Sequence, residues 1–258
     1  MNTKNIGFDL SITPYGKVKN KNYSIAILPW GATEPHNLHL PYLTDCILSQ
    51  AIALHAVRQL KATTQHEAMV LPPIAMGAQN PGQRDLPFCI HYRFETQKAI
   101  LNDIIASLYH QGFRKLLIIN GHGGNNFKSM IRDFAIDYPD FLIATTEWYI
   151  IIPPNNFFEE KDDHAGELET SVMMYYYPDF VNLAEAGEGK SKLFTIDSLN
   201  EKTAWVPRHW LKVTNDTGIG NPMKASPEKG QRYSEKVVEK VVQLLKELIE
   251  NDDIYQPL

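Results

Sequence analysis

Short, strongly apolar runs alternate along the chain with longer stretches in which apolar residues recur every three or four positions. The first run, in SIAILPW from Ser24, has strand length and ends in a Pro/Gly break. After Asp45, apolar residues at Ile47, Leu48, Ala51, Leu54 and Val57 fall on one helical face, with Thr44 placed to cap its start. AMVLPPIAMG (Ala68 to Gly77) predicts a short buried strand stopped by Pro72 and Pro73, followed by a turn-rich loop. Glu95 to Gln111 predicts an amphipathic helix with Ile100, Leu101, Ile104, Ile105 and Leu108 on its stripe and Gly112 as its stop. KLLIIN (Lys115 to Asn120) is a buried strand, GHGGNN a glycine-rich turn and FKSMIRDFAIDY a helix. FLIATTEWY (Phe141 to Tyr149) is a further strand, and DDHAGELETSVMMYYYP leads a polar cluster into a helix. From about Val181 to Asn221 the sequence is irregular and rich in Gly, Asn and Lys, the pattern of a lid or an assembly element. Pro227 to about Glu250 forms the last helix. Strands alternating with helices imply βαβ units, hence an α/β fold: a three-layer α/β/α sandwich on a mostly parallel sheet, in one domain over residues 1–258.

Composition narrows the function. With 258 residues, 43% of them hydrophobic, the chain can bury a full core. The formal charge of −5 and the lack of a basic block exclude a nucleic-acid surface, which needs clustered Lys and Arg. No apolar run reaches the roughly 20 residues that span a bilayer, and the N-terminus lacks a signal-peptide layout, so the expected location is the cytoplasm, without membrane contact. Cys46 and Cys89 are too few for a disulfide framework or a thiolate zinc site and read as buried thiols.

The polar stretches that interrupt the apolar runs carry Glu34, His36, Asp45, His122 and Glu167, where open α/β sheets place their chemistry. In extended backbone Glu34 and His36, two apart, reach the same pocket. His122 follows a strand directly, among Gly121, Gly123 and Gly124. Neither phosphate-binding glycine pattern is present, so a metal ligand is the better reading of that turn than an anion cradle. Each residue also has a plainer role. Asp45 can cap a helix, Glu167 and Glu169 can complement a helix dipole, and His122 can be an ordinary turn residue. Together, three carboxylates and two imidazoles without thiolate suit zinc, manganese or iron. Two such ions roughly 3.5–4 Å apart would hold a water and bring its pKa toward roughly 7. His164, Glu167 and Glu169 run straight into VMMYYY, which places charged groups beside a core where they need a cation or a proton.

GATEPHNLHLPYLTD, NGHGGN, HAGELETS and GIGNPMKASPEKG, in that order, resemble the creatininase (creatinine amidohydrolase) family across nearly the whole chain. The resemblance implies a three-layer α/β/α domain in trimers or hexamers, with two divalent ions, zinc foremost and manganese or iron as alternatives. It assigns Glu34 and His122 to one ion, His36 and Glu167 to the other, and Asp45 as the bridge. His164 is then the proton donor to the leaving nitrogen, and Glu169 orients it or binds substrate. Creatininases proper carry a tyrosine and a glutamate where Gly123 and Gly124 stand. Pro35 and Asn37 also flank the first histidine in place of Gln and Gly, and Gln79 to Phe88 lacks a histidine-bearing substrate loop. These departures point to the broader family. The implied function is hydrolysis of a non-peptide C–N bond in a small molecule, through a hydroxide bridging the metals. The alternatives are a peptidase of the same family and a non-catalytic metal-binding assembly subunit.

Overall fold

The protein was analysed as a computed structural model, which describes residues 3–255. In chain order the elements are α1 (Tyr15–Val18), β1 (Ile25–Trp30), α2 (Thr44–Thr63), β2 (Ala68–Val70), α3 (Phe94–His110), β3 (Lys115–Asn120), α4 (Phe127–Asp137), β4 (Leu142–Glu147), α5 (Glu167–Tyr176), α6 (Asp197–Asn200), α7 (Trp210–Val213) and α8 (Pro227–Glu250). The four strands form a parallel sheet in the order β2-β1-β3-β4.

Side chains alternate across the strands and so build two cores. Ile25, Ile27, Leu117 and Ile119 pack against α2, α5 and α8 on one face. Ala26, Leu28, Trp30, Leu116 and Ile118 pack against α3 and α4 on the other. Every residue of β1 is buried, which explains its continuous apolar run; each large side chain so buried contributes roughly 1.5–3 kcal/mol. The result is the three-layer α/β/α architecture that the alternation predicted. Cys46 and Cys89 are buried free thiols, and among the described residues no helix is long and apolar enough to cross a membrane.

Differences from the sequence reading have local causes. The second strand is only three residues long, because Pro72 and Pro73 cannot continue the ladder; Ile74 re-engages through a single bridge to Trp30. The fourth strand ends at Glu147, and Trp148–Ile150 turns as a 3-10 helix. Thr44 does not cap α2: it is the first helical residue, and its hydroxyl donates to Pro41 O at 2.7 Å.

The topology fixes where chemistry can sit. From β1 the chain leaves over one face through α2 to β2; from β3 it leaves over the other face through α4 to β4. The carboxyl ends of β1 and β3 therefore flank the switch point, the crevice that open α/β sheets use for ligands. Two glycines bring the start of α2 into that crevice. A Cβ on Gly31 would lie 2.5 Å from Cys46 N, and one on Gly121 would lie 2.4 Å from Asp45 O. Even alanine at 121 would push Asp45 away.

Candidate metal centre

The segment after β1 supplies Glu34 and His36, the first turn of α2 supplies Asp45, the turn after β3 supplies His122, and the approach to α5 supplies His164 and Glu169. Glu34, His36, Asp45, His122 and His164 are all buried, and all of them but His36 line a cavity of about 190 Å³ together with Tyr149, Asp163 and Glu169. Asn37 and Ala165, each next to a site histidine, adopt positive φ values of 53° and 52°. Such strain in non-glycine residues costs of order 1–3 kcal/mol each and persists only where surroundings enforce it. Here Asn37 accepts the amides of Leu38 and Gly187. Ala165 donates to Glu169 Oε2 at 2.6 Å. His164 is paired through its backbone with Ile219 of the GIGNP segment.

All three imidazoles are built alike. One nitrogen of each donates to a main-chain carbonyl: His36 Nδ1 to Glu34 O at 3.0 Å, His122 Nε2 to Ala78 O at 2.8 Å and His164 Nε2 to Pro35 O at 2.9 Å. A carbonyl only accepts, so those nitrogens carry protons, and the opposite ones face carboxylates. His36 Nε2 lies 2.9 Å from Asp45 Oδ1. His122 Nδ1 lies 3.0 Å from Glu34 Oε1 and 3.2 Å from Asp45 Oδ2, and His164 Nδ1 lies 3.7 Å from Glu34 Oε1. A bare imidazole lone pair repels a carboxylate, so the close contacts of His36 and His122 need a proton or a metal cation between the partners.

Protons are one way to fill those places. Burial opposes charge on His36, yet the Asp45 carboxylate pushes it up to about 10. Burial likewise opposes charge on His122, yet Glu34 and Asp45 raise it well above its ordinary value. Burial disfavours ionised Glu34 and Asp45 too, but His122 and His36 respectively lead the neighbours that hold them below the usual carboxylate range. Burial and then the neighbouring His36 lower His164. Glu169 is pushed up to about 8, mainly by burial, with Asp45 and Asp162 adding repulsion.

The residues fit divalent cations. Glu34, Asp45 and His122 present ligand atoms within 4.8 Å of one another, as do His36, Asp45 and Glu169, and a third set joins Glu34, His36 and His164. Glu34, His36 and Asp45 each belong to two of these sets, and Asp45 is the one that joins the set holding His122 to the set holding Glu169. Its Oδ2 is buried and accepts no hydrogen bond, although His122 Nδ1 is 3.2 Å away. Nitrogen and oxygen donors without sulfur match zinc, manganese or iron.

The structure does not bring Glu167 to this cluster. Its carboxylate is fully buried on another side of α5, where it accepts the amides of Glu159 and Glu160 at 2.8 Å each and pairs with Lys229 Nζ at 2.5 Å. Two residues along a helix turn through roughly 200°, so Glu167 and Glu169 cannot face the same way, and Glu169 is the one beside His36. The sequence reading also passed over Gln83, whose Nε2 donates to Glu34 Oε2 at 2.6 Å from the loop that lacks a histidine. It passed over Asn120 and Asn125, which tie the His122 turn to Gly31 O and Ala78 N. Polar residues inside NGHGGNN were the available signal; for Gln83 there was none.

The family model for creatinine amidohydrolase matches residues 10–245. A crystal structure of a Bacteroides fragilis NCTC 9343 protein, provisionally described as a creatinine amidohydrolase, is 60% identical, covers 99% of this chain and 100% of its own, and superposes with a TM-score of 0.96. A mycofactocin precursor peptide peptidase of Mycolicibacterium smegmatis is 26% identical over 83% of this chain and 81% of its own length. A 3-dehydro-scyllo-inosose hydrolase of Thermotoga maritima is 25% identical over 89% and 79%. A manganese creatininase structure, 20% identical with coverage of 94% and 99%, shares the fold at a TM-score of 0.78. A match over nearly the whole chain, on a parallel sheet whose switch point gathers metal-capable carboxylates and imidazoles, makes this chain a member of the creatininase (creatinine amidohydrolase) family of hydrolases.

Proposed function

We propose that the chain is a metal-dependent amidohydrolase that works as one creatininase-like domain and opens a C–N bond of a small amide. The observation that carries this reading is Asp45, shared by two donor sets and left with a buried oxygen that accepts no hydrogen bond. Glu34, Asp45 and His122 would hold one ion, and His36, Asp45 and Glu169 the other, with Glu169 replacing Glu167 in the role the sequence suggested. Divalent cations there would supply Lewis-acid polarisation of a carbonyl and a water acidified toward neutrality. The chain's own groups do the rest. Ala78 O, Glu34 O and Pro35 O lock the three rings. Gln83 holds Glu34, and such supporting bonds raise ligand basicity and fix orientation. With its Nε2 proton committed to Pro35 O, His164 would take up at Nδ1 the proton that the attacking water loses and pass it to the departing nitrogen. The relatives named above act on a peptide, an inosose or creatinine, and a nitrogen leaving group is what a histidine in that place serves best. We further propose a homo-oligomer (trimer or hexamer) working in the cytoplasm on a small molecule.

The test is zinc and manganese titration of purified protein followed by screening of lactams, cyclic ureides, formamides and short peptides. About two ions per chain and metal-dependent release of an amine or ammonia are expected. Failure to bind either metal tightly, or turnover that survives exhaustive chelation, would overturn the reading.

A further inference from the structure

The hydroxyls of Tyr23, Tyr42 and Tyr233 donate to main-chain carbonyls, and that of Tyr109 donates to Asp140. Tyr149, in the wall of the metal pocket, is different. Among the described residues its Oη makes no hydrogen bond, yet the atom is not sealed in and keeps accessible surface. The rest of the residue is fixed. Its carbonyl accepts from Tyr233 Oη at 2.7 Å, and its ring stands at 90° to that of the fully buried Trp148, with centroids 5.9 Å apart.

Gly123, which lines the same pocket, leaves that hydroxyl uncovered. The nearest atom that a Cβ on Gly123 would meet is Tyr149 Oη, at 3.6 Å, so a longer side chain there would lie against the phenol. Its glycine neighbours are explained by the main chain instead: Cβ atoms at Gly121 and Gly124 would lie 2.4 Å from Asp45 O and 2.0 Å from Ala78 O.

The other walls of the pocket offer no equivalent donor. The carboxylates of Glu34, Asp45, Asp163 and Glu169 accept once ionised, while His122 and His164 have committed Nε2 to Ala78 O and Pro35 O. Tyr149 is the lining side chain whose donor has no acceptor. Burial above all, then the nearby Glu147, Asp45, Glu169 and Asp163, raise its phenol above the ordinary range, so the proton stays in place. A rigid, protonated donor beside Asp45 is suited to an oxygen that gains charge during the reaction.

We propose that Tyr149 is a further catalytic residue, whose O–H donates to the carbonyl oxygen of the amide as that oxygen becomes an oxyanion. When water adds to the carbonyl carbon, the C=O π pair moves onto oxygen, and the Tyr149 O–H strengthens its hydrogen bond there without giving up its proton. The pair then returns as the C–N bond breaks, and the nitrogen leaves with the proton that His164 took from the water. This rests on the amidohydrolase reading and deepens it.

The experiment compares wild type with Tyr149→Phe, which deletes only the hydroxyl. Zinc stoichiometry and Tm should be unchanged, because that hydroxyl has no partner in the protein. On an amide turned over by the zinc-loaded enzyme, kcat should fall about 10²–10³-fold while KM stays within about threefold, the signature of an interaction made in the transition state. A second readout needs no turnover: N-methyl methylphosphonamidate, a tetrahedral anion shaped like the water adduct of N-methylacetamide, is titrated calorimetrically into both zinc-loaded proteins. The variant should bind it about 10–100-fold more weakly, the scale of a hydrogen bond to a charged group. Unchanged kcat, a loss confined to KM, a fall in zinc content, or equal binding of the phosphonamidate by both proteins would overturn the proposal. If wild type cleaves no amide, the hydrolytic reading fails, and the phosphonamidate titration still decides whether Tyr149 meets an oxyanion.

Discussion

Glu167 and Glu169 stand two residues apart on α5 and face different parts of the protein. Glu167 meets Lys229 and two main-chain amides, all permanent donors that leave its charge satisfied. Glu169 meets one amide, His36 and another carboxylate, and is pushed up to about 8. A buried carboxylate is no sign of function by itself; the nature of its partners is. Fixed cations and amides mark an anchor, which here ties α5 to α8 and to the loop at 159–160. Titratable, mutually repelling neighbours mark a place that a cation would balance.

Four experiments could break or sharpen this contrast. The largest effect belongs to the shared ligand: Asp45→Asn, similar in shape, or His122→Ala should abolish stoichiometric zinc uptake and lower hydrolysis by at least about 10³-fold, read by metal analysis and kinetics. Next comes the pair itself. Glu167→Gln should cost roughly 2–3 kcal/mol in denaturant unfolding while metal content stays normal, because it strands Lys229. Glu169→Gln should do the reverse, lowering metal content with little loss of stability or even a gain. If Glu167→Gln lost metal and kept its stability, the assignment of the two carboxylates would be inverted.

A smaller effect is expected at Gln83, which touches the proposed ligand Glu34 only through one hydrogen bond: Gln83→Ala should weaken metal binding about 10–100-fold in a competition titration. The smallest concerns His55, further along α2 than Asp45, whose Nδ1 shares a hydrogen bond with Tyr176 Oη at 2.8 Å. Burial, then Arg58, lowers its pKa below 6.5. The folded state thus binds fewer protons than the unfolded one, and the folded protein loses stability as pH falls through the unfolded value of about 6.5. His55→Asn, which can still hydrogen-bond Tyr176 Oη, should flatten the decline in Tm between about pH 7.5 and 5.5, by an amount worth less than about 1 kcal/mol. An unchanged slope would show that His55 is not the titrating group.

The predictions at Glu34, His36, Asp45 and His122 rest on features legible along the chain. Each follows or begins an element whose periodicity is unambiguous, and the ends of β1 and β3 are adjacent in any right-handed βαβ arrangement with this order. Gln83 was not legible, since nothing in a turn-rich loop says which polar side chain folds inward.

The sequence determined by itself the alternation of strands and helices, the burial of β1 and β3, and the gathering of carboxylates and imidazoles at their carboxyl ends. Those features depend on periodicities of two and 3.6 residues, which are local. Only the tertiary structure decided which glutamate of α5 faces His36 and that Gln83 turns inward onto Glu34. It decided them because each depends on what packs from elsewhere: Lys229 arrives from α8, 62 positions away, and Gln83 reaches Glu34 from 49 positions away. No spacing rule within the HAGELETS segment encodes the direction from which they come.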